Sequence, residues 1–198
     1  MPPKRRKASV HRKTKETDIK VSLDLDGRGV FKGATGVGFF DHMLELFARH
    51  GLFDLTVQAK GDLHIDPHHT VEDVGLTLGQ ALLAAAGDKS GIARFGQSAV
   101  PMEETLADVV LDFCGRPFLA FGVKMPRTKI GEYDAELTED FFRAVAMQAG
   151  LTVHMRAASG RNAHHIVEAL FKAFARSLSQ SVARDPRIRG VLSTKGKL

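Results

Sequence analysis

A chain of 198 residues can bury a substantial core, in one domain or two small ones, and a composition 43% hydrophobic and 26% charged is that of an ordinary globular protein. No apolar run approaches the roughly 20 residues of a membrane helix, the basic start Met1-Pro2-Pro3-Lys4-Arg5-Arg6-Lys7 lacks the apolar centre of a secretory signal, and the lone Cys114 excludes an internal disulfide, as expected in the cytoplasm. The net charge of +5 owes four positive charges to Lys4–Lys7, so residues 1–9 read as a flexible basic tail, and an anion held by the body must be held by placed residues.

In chain order, the stretch from Val10 to Val30 suggests strands. Ile19, Val21, Leu23 and Leu25 alternate with Lys20, Ser22, Asp24 and Asp26, the period-two pattern of a half-buried strand. Asp26-Gly27-Arg28-Gly29 has the composition of a hairpin turn. Gly33 to Gly38 is a glycine-rich loop leading into an amphipathic helix, with apolar positions 40, 43, 44 and 47 and Gly51 as its stop. Leu52–Ala59 reads as a strand, and a second helix is predicted from Pro67 to Ala86, ended by Gly87-Asp88. The second half follows suit. Thr105–Phe113 and Pro117–Lys124 are strands around the turn Cys114-Gly115-Arg116, and Met125–Asp134 is a loop. Glu139–Gly150 is a helix, Leu151–Arg156 a strand and His164–Ala183 a long helix.

The two halves superpose as text. Lys15-Glu16-Thr17 and Asp24-Leu25-Asp26-Gly27-Arg28 recur 88 residues later as Glu103-Glu104-Thr105 and Asp112-Phe113-Cys114-Gly115-Arg116, and Gly51-Leu52 recurs as Gly150-Leu151. A near-constant offset with one element order indicates an internal duplication. The expected fold is α+β, with half-repeats at 10–90 and 91–187, each β-β-α-β-α, and four helices packed between two small mixed sheets.

Histidine usage is the compositional oddity: nine, against one tyrosine and no tryptophan. The run His64-Ile65-Asp66-Pro67-His68-His69-Thr70-Val71-Glu72-Asp73 contains His-His-x-x-Glu, and so does Asn162-Ala163-His164-His165-Ile166-Val167-Glu168-Ala169. Residues four apart share a helix face, so His68 can reach an ion together with Glu72, as can His164 with Glu168. The histidine next in sequence is rotated by about 100° and points elsewhere, so each helix start can serve two ions. Imidazole suits transition metals and carboxylate complements it for harder ions. A zinc-protease motif requires the order His-Glu-x-x-His and is excluded. His42, beside the glycine loop, is a ligand or a polar residue at a helix start, and lone His11 and His50 are compatible with surface positions. A metal-dependent structural or storage assembly and an RNA-binding module remain as alternatives. Against the second stands the lack of a basic, aromatic-bearing face.

At these motifs the chain resembles the imidazoleglycerol-phosphate dehydratase family. The likeness runs from Arg12 to Gly196 through Arg12-Lys13-Thr14-Lys15-Glu16-Thr17, Phe40-Asp41-His42-Met43-Leu44, the two histidine runs, Gly115-Arg116-Pro117 and Ser193-Thr194-Lys195-Gly196. The resemblance implies a ribosomal protein S5 domain 2-like fold and a histidine-biosynthetic hydro-lyase that removes water from imidazole glycerol phosphate. It also implies two Mn²⁺ ions per active site and self-association into a large octahedral homo-oligomer, with neither nucleic acid nor membrane as partner. It places His42, His69, His164 and Glu168 around one ion and His68, Glu72 and His165 around the other. Where many members of the family have a further histidine, this chain has Asp140, which binds directly, acts through water or leaves the place to His154. Substrate contacts carried over are Glu16, Arg94, Arg116, Lys172, Ser193 and Lys195, and His42, His50, His68, Glu72, His164, Thr194 and Gly196 complete the set. Residues 188–198 would be a tail closing the phosphate site. Two guanidiniums, two ammoniums and a hydroxyl suit a phosphate monoester. The metals would act as Lewis acids on the substrate's ring, with Glu168 or Glu72 moving a proton and Glu16 holding the substrate hydroxyls.

Overall fold

The computed structural model describes residues 5–198. Its first half runs β1 (Lys7–Lys13), β2 (Thr17–Asp24), β3 (Phe31–Ala34), α1 (Gly38–Gly51), β4 (Asp54–Gly61) and α2 (His68–Ala86). The second half repeats this order as β5 (Phe95–Met102), β6 (Thr105–Asp112), β7 (Phe118–Gly122), the short pair β8 (Lys129–Ile130) and β9 (Tyr133–Asp134), α3 (Leu137–Ala149), β10 (Thr152–Ser159) and α4 (Ala163–Val182). The sheets have the matching orders β1-β2-β4-β3 and β5-β6-β10-β7. Helix α2 lies on β1 and β2 and against α3, while α4 lies on β5 and β6 and against α1. Four helices thus fill the space between two sheets, and each seam between helices joins one half to the other.

Each half has more strands than the β-β-α-β-α expected, one more in the first and three more in the second. The missed strands are β5, the short β8 and β9 inside the stretch 125–134 read as a loop, and β3, whose last two residues fall in the glycine-rich stretch that hides it. Asp26-Gly27-Arg28-Gly29 is also no hairpin turn: β4 pairs with β2 on one side and, in parallel, with β3 on the other. The same crossover surrounds Cys114-Gly115-Arg116, with β10 between β6 and β7. Turn-forming residues reverse the chain locally, but the later strand takes the central place because it buries both edges.

Two further expectations change. Positions 5–9 are ordered: Arg5 pairs with Asp24 at 2.7 Å, Arg6 with Asp26 at 2.6 Å, and β1 begins at Lys7. Acceptors at the end of β2 and in the turn beyond it draw in cations that composition alone assigns to a tail, and positions 1–4 lie outside the described residues. The left-handed stop of α1 is Leu52 (φ 58°), not Gly51, whereas α3 does stop on Gly150 (φ 71°). Leu52 therefore corresponds to Gly150, an offset of 98, and at that offset Asp140 is the counterpart of His42.

The core between the sheets is aromatic. Phe40 and Phe47 of α1, Phe141 and Phe142 of α3 and Phe171 and Phe174 of α4 are all at most 1% exposed. Their rings touch across elements, Phe40–Phe141 at 5.3 Å and Phe141–Phe171 at 5.1 Å between centroids, and each such pair adds about 1 kcal/mol beyond its burial. On α2 the packing surface is small instead. A Cβ on Gly79 would stand 2.7 Å from the Val145 carbonyl oxygen, so α2 and α3 meet backbone to backbone. Close contact there brings the start of α2 up to the first turn of α3.

Candidate active site

Capping starts both helices that bear the paired histidines at the same point. The Asp66 carboxylate accepts from the His68 N–H at 2.7 Å, and the Asn162 side chain accepts from the His164 N–H at 2.9 Å. One turn on, the first helix of the opposite half supplies a third group. His42 of α1 joins His164 and Glu168 of α4, with ligand atoms of all three within 4.8 Å of one another. Nε2 of His42 and of His164 lie 3.4 and 3.1 Å from Glu168 Oε2. Phe39 steadies His164 edge-on, with centroids 5.0 Å apart. The Glu168 carboxylate is 7% exposed and its other oxygen accepts from Lys172 Nζ at 2.5 Å. Burial acts to raise the Glu168 carboxyl, but Lys172 and His164 outweigh it and hold it below the usual range.

The other seam builds the counterpart. His68 Nε2 lies 3.8 Å from Glu72 Oε2, and its Nδ1 lies 3.9 Å from Asp140 Oδ2. This set is more open, with the three side chains 40–47% exposed. Asp140 thus stands at His68 as His42 stands at His164. His154 does not: it points from β10 away from the helices, against Phe118 at 5.9 Å.

The remaining paired histidines turn to carboxylates of their own halves. His69 Nδ1 is 3.0 Å from Asp62 Oδ2 and 4.0 Å from Glu16 Oε2. His165 Nδ1 is 2.7 Å from Glu104 Oε2. Asp62 raises His69, and Glu104 raises His165. Glu104 is held far below the usual carboxylate range by the Asn162 N–H, His165 and the Arg161 N–H. Within one chain, therefore, His69 does not join His42, His164 and Glu168, nor does His165 join His68 and Glu72. His50 lies two turns beyond His42 on α1, and burial, then Lys172 and Arg176, lower its pKa.

A third locus gathers cations. Arg94, Arg116, Ser193, Thr194 and Lys195 line one cavity of about 890 Å³. Arg94 grips Asp112 through Nε and Nη2 at 2.7 and 2.9 Å, and its Nη1 donates to the Leu192 carbonyl at 2.7 Å. It thereby anchors the tail, which a backbone bond from the Gly91 N–H to the Gly190 carbonyl also holds. Gly196 turns the chain beside it with φ 70°. Lys172 and Glu16 are absent from this cavity: Lys172 belongs to the Glu168 cluster, and Glu16 is 57% exposed near His69. Arg187, Arg189 and Lys197 also line it and were not singled out from sequence, although the run Arg184-Asp185-Pro186-Arg187-Ile188-Arg189 before the tail motif is a legible sign. Asp62 and Glu104 were likewise missed as histidine partners. Their only sign was Glu104's place as the counterpart of Glu16.

Comparison with known proteins gives the same direction. A family model described as imidazoleglycerol-phosphate dehydratase matches residues 35–178. The protein of that name from Geobacter metallireducens is 58% identical over 193 residues, covering 98% of this chain and 99% of its own. That from Gluconacetobacter diazotrophicus is 59% identical over 194 residues, covering 98% of each. The crystal structure of the Staphylococcus aureus imidazoleglycerol-phosphate dehydratase superposes with a TM-score of 0.82 at 40% identity, covering 90% of this chain and 99% of that one. The Pyrococcus furiosus structure gives 0.81 at 35% identity, covering 96% and 100%. With sequence matches over nearly its whole length and the same fold, the chain belongs to the imidazoleglycerol-phosphate dehydratase family.

Proposed function

We propose that the chain removes water from imidazole glycerol phosphate to give imidazole acetol phosphate, a step of histidine biosynthesis, at a centre holding two Mn²⁺ ions. Beside family membership, the observation that carries this reading is the convergence of His42, His164 and Glu168 from opposite halves. Two imidazoles and a carboxylate are a fitting donor set for a divalent transition ion. His68, Glu72 and Asp140 offer a second set with more carboxylate, still suited to Mn²⁺. When bound, the ions supply Lewis-acid polarisation of the substrate's imidazole.

The chain's own groups do the rest. Lys172 keeps Glu168 ionised, so that carboxylate stays a donor rather than a proton carrier. Glu72 and Glu16 have no lysine or arginine partner among the described residues and are 47% and 57% exposed. In this reading Glu72, beside His68, moves the proton and Glu16 holds the substrate hydroxyls. Arg116, Ser193 and Lys195 bind the phosphate, with Arg94 fixing the tail that carries two of them.

Assembly into a homo-oligomer is part of this reading, since one chain leaves His69 and His165 apart from the two donor sets. The outward faces of the sheets support it. Across the first sheet one outward row reads Ser9–Ser22–Thr56–Lys32, and its counterpart across the second reads Gln97–Val110–His154–Ala120. Phe95 and Phe118, each 54% exposed, share that less polar face. No helix among the described residues is long and apolar enough to cross a membrane, and the cytoplasm is the compartment proposed.

The test is turnover before and after chelation. Stripping metal should abolish dehydration and Mn²⁺ should restore it, while Glu168→Gln should lower kcat by about 100-fold or more with the circular dichroism spectrum unchanged. Full activity in material free of transition ions would refute the metal centre, and near-normal turnover in the variant would remove Glu168 from it.

A further inference from the structure

Four histidines stand in the paired motifs, but only His68 and His164 face carboxylates of the two donor sets. The other two rings make a different contact, and they make it alike. His165 offers Nδ1 to Glu104 at 2.7 Å, and His69 offers Nδ1 to Asp62 at 3.0 Å. Nε2 of neither ring makes a hydrogen bond among the described residues. We propose that Asp62 and Glu104 are positioning residues that hold His69 and His165 with the proton on Nδ1, leaving the Nε2 lone pair free for a divalent cation. This rests on the metal-centre reading above and adds to it the groups that prepare two of its ligands.

An ionised carboxylate only accepts hydrogen bonds, so the ring nitrogen facing it must donate. A neutral imidazole with its proton on Nδ1 has its lone pair on Nε2, the form in which that nitrogen can bind a metal. Glu104 is well fixed for this task. Its Oε1 accepts from the backbone N–H groups of Arg161 and Asn162 at 3.1 and 2.9 Å, just ahead of the helix that bears His165. Asp62 has no such anchor among the described residues: its Oδ1 is buried without a hydrogen-bond partner there. Among the described residues its side chain makes one hydrogen bond, to His69.

The duplication makes the case stronger than either contact alone. Inheritance would hand His69 to Glu16, the counterpart of Glu104. Yet Glu16 stands off at 4.0 Å, and Asp62, just past the end of β4, takes the contact. Its counterpart in the second half, at the offset between β4 and β10, is Gly160, which has no side chain to offer. The two halves reach one arrangement from different elements. A contact kept merely as a remnant of duplication would not change its supplier.

Glu104→Gln separates positioning from support. The amide oxygen can keep the backbone N–H groups, but the amide N–H₂ then faces His165 Nδ1, which must accept, and the proton moves to Nε2. Asp62→Asn makes the same change at His69. In chelator-stripped full-length chain, Mn²⁺ titration followed by electron paramagnetic resonance should show about 10- to 100-fold weaker binding for each variant, with melting in the presence of chelator unchanged. Wild-type affinity in both, with the fold intact, would overturn the proposal and leave the metal centre standing, whereas no Mn²⁺ uptake by the unsubstituted chain would remove both. Should a variant not fold, the imidazole ¹⁵N shifts of the metal-free wild-type chain decide. A protonated Nδ1 and bare Nε2 at His69 and His165 are expected, and the reverse pattern would overturn the proposal.

Discussion

Asp73 ends the first histidine run, and nothing in its spacing indicates a task. In the fold it is 7% exposed, accepts from Arg12 Nε of β1 at 2.8 Å and from the Thr17 hydroxyl of β2, and so ties α2 to two strands. Its counterpart in the second repeat is Ala169, so the tie belongs to one half only. Losing the carboxylate strands a half-buried guanidinium and a hydroxyl. Asp73→Ala should therefore cost about 2 kcal/mol, a value discounted for the solvent that reaches Arg12. Urea unfolding should show it as a lower midpoint at unchanged slope. Residue identities were legible at this scale, but partnerships were not. His-His-x-x-Glu announces donors, but nothing in it says that His42 belongs with α4, or Asp140 with α2, because those meetings depend on how the helices cross.

At the scale of elements, the helices were readable to within about two residues because apolar positions three and four apart define a buried stripe without outside help. Strands β3 and β5 were not, and the reason is packing. The inward positions of β5 include Gly96 and Ser98, kept small because α4 lies directly on them: a Cβ at Gly96 would stand 1.8 Å from the Ser177 carbonyl oxygen. Gly33 of β3 is glycine for another reason: its φ is 124°, and a Cβ there would stand 1.7 Å from the Val57 carbonyl oxygen of the neighbouring β4. With Gly96 and Ser98 kept small, β5 presents large apolar residues inward at Val100 and Met102 alone, too short a run for a clear period-two signal. Gly96→Ala should push α4 off its sheet, cost about 2–3 kcal/mol and lower Tm by roughly 5–10 °C in differential scanning calorimetry. A variant as stable as the parent would mean that the helix can slide at little cost.

For the whole molecule, the question is what binds the halves besides their aromatic core. Arg6 is one answer. It pairs with Asp26 of the first half and donates to the Val182 carbonyl at the end of α4 in the second. The Arg6 guanidinium holds the Asp26 carboxyl below its ordinary range. A depressed carboxylate contributes stability above its unfolded pKa, near ~4, and loses it as pH falls through the folded value. Arg6→Ala should therefore be less stable than the parent at neutral pH, and the gap should narrow as pH drops below about 4 in a denaturant series. A gap independent of pH would assign the loss to the Val182 contact alone.

Because the halves trade donors, the two seams are free to diverge. One cluster is framed by α1 and α4, the other by α2 and α3, so a bulkier or slimmer side chain in one seam nudges its own cluster and spares its twin. An ancestral doubling would have produced matched centres, yet the present pair already differs where His42 on one side answers to Asp140 on the other. If the two clusters hold the ions proposed, such an arrangement allows one to specialise in gripping and the other in exchanging, with neither change copied to its sibling.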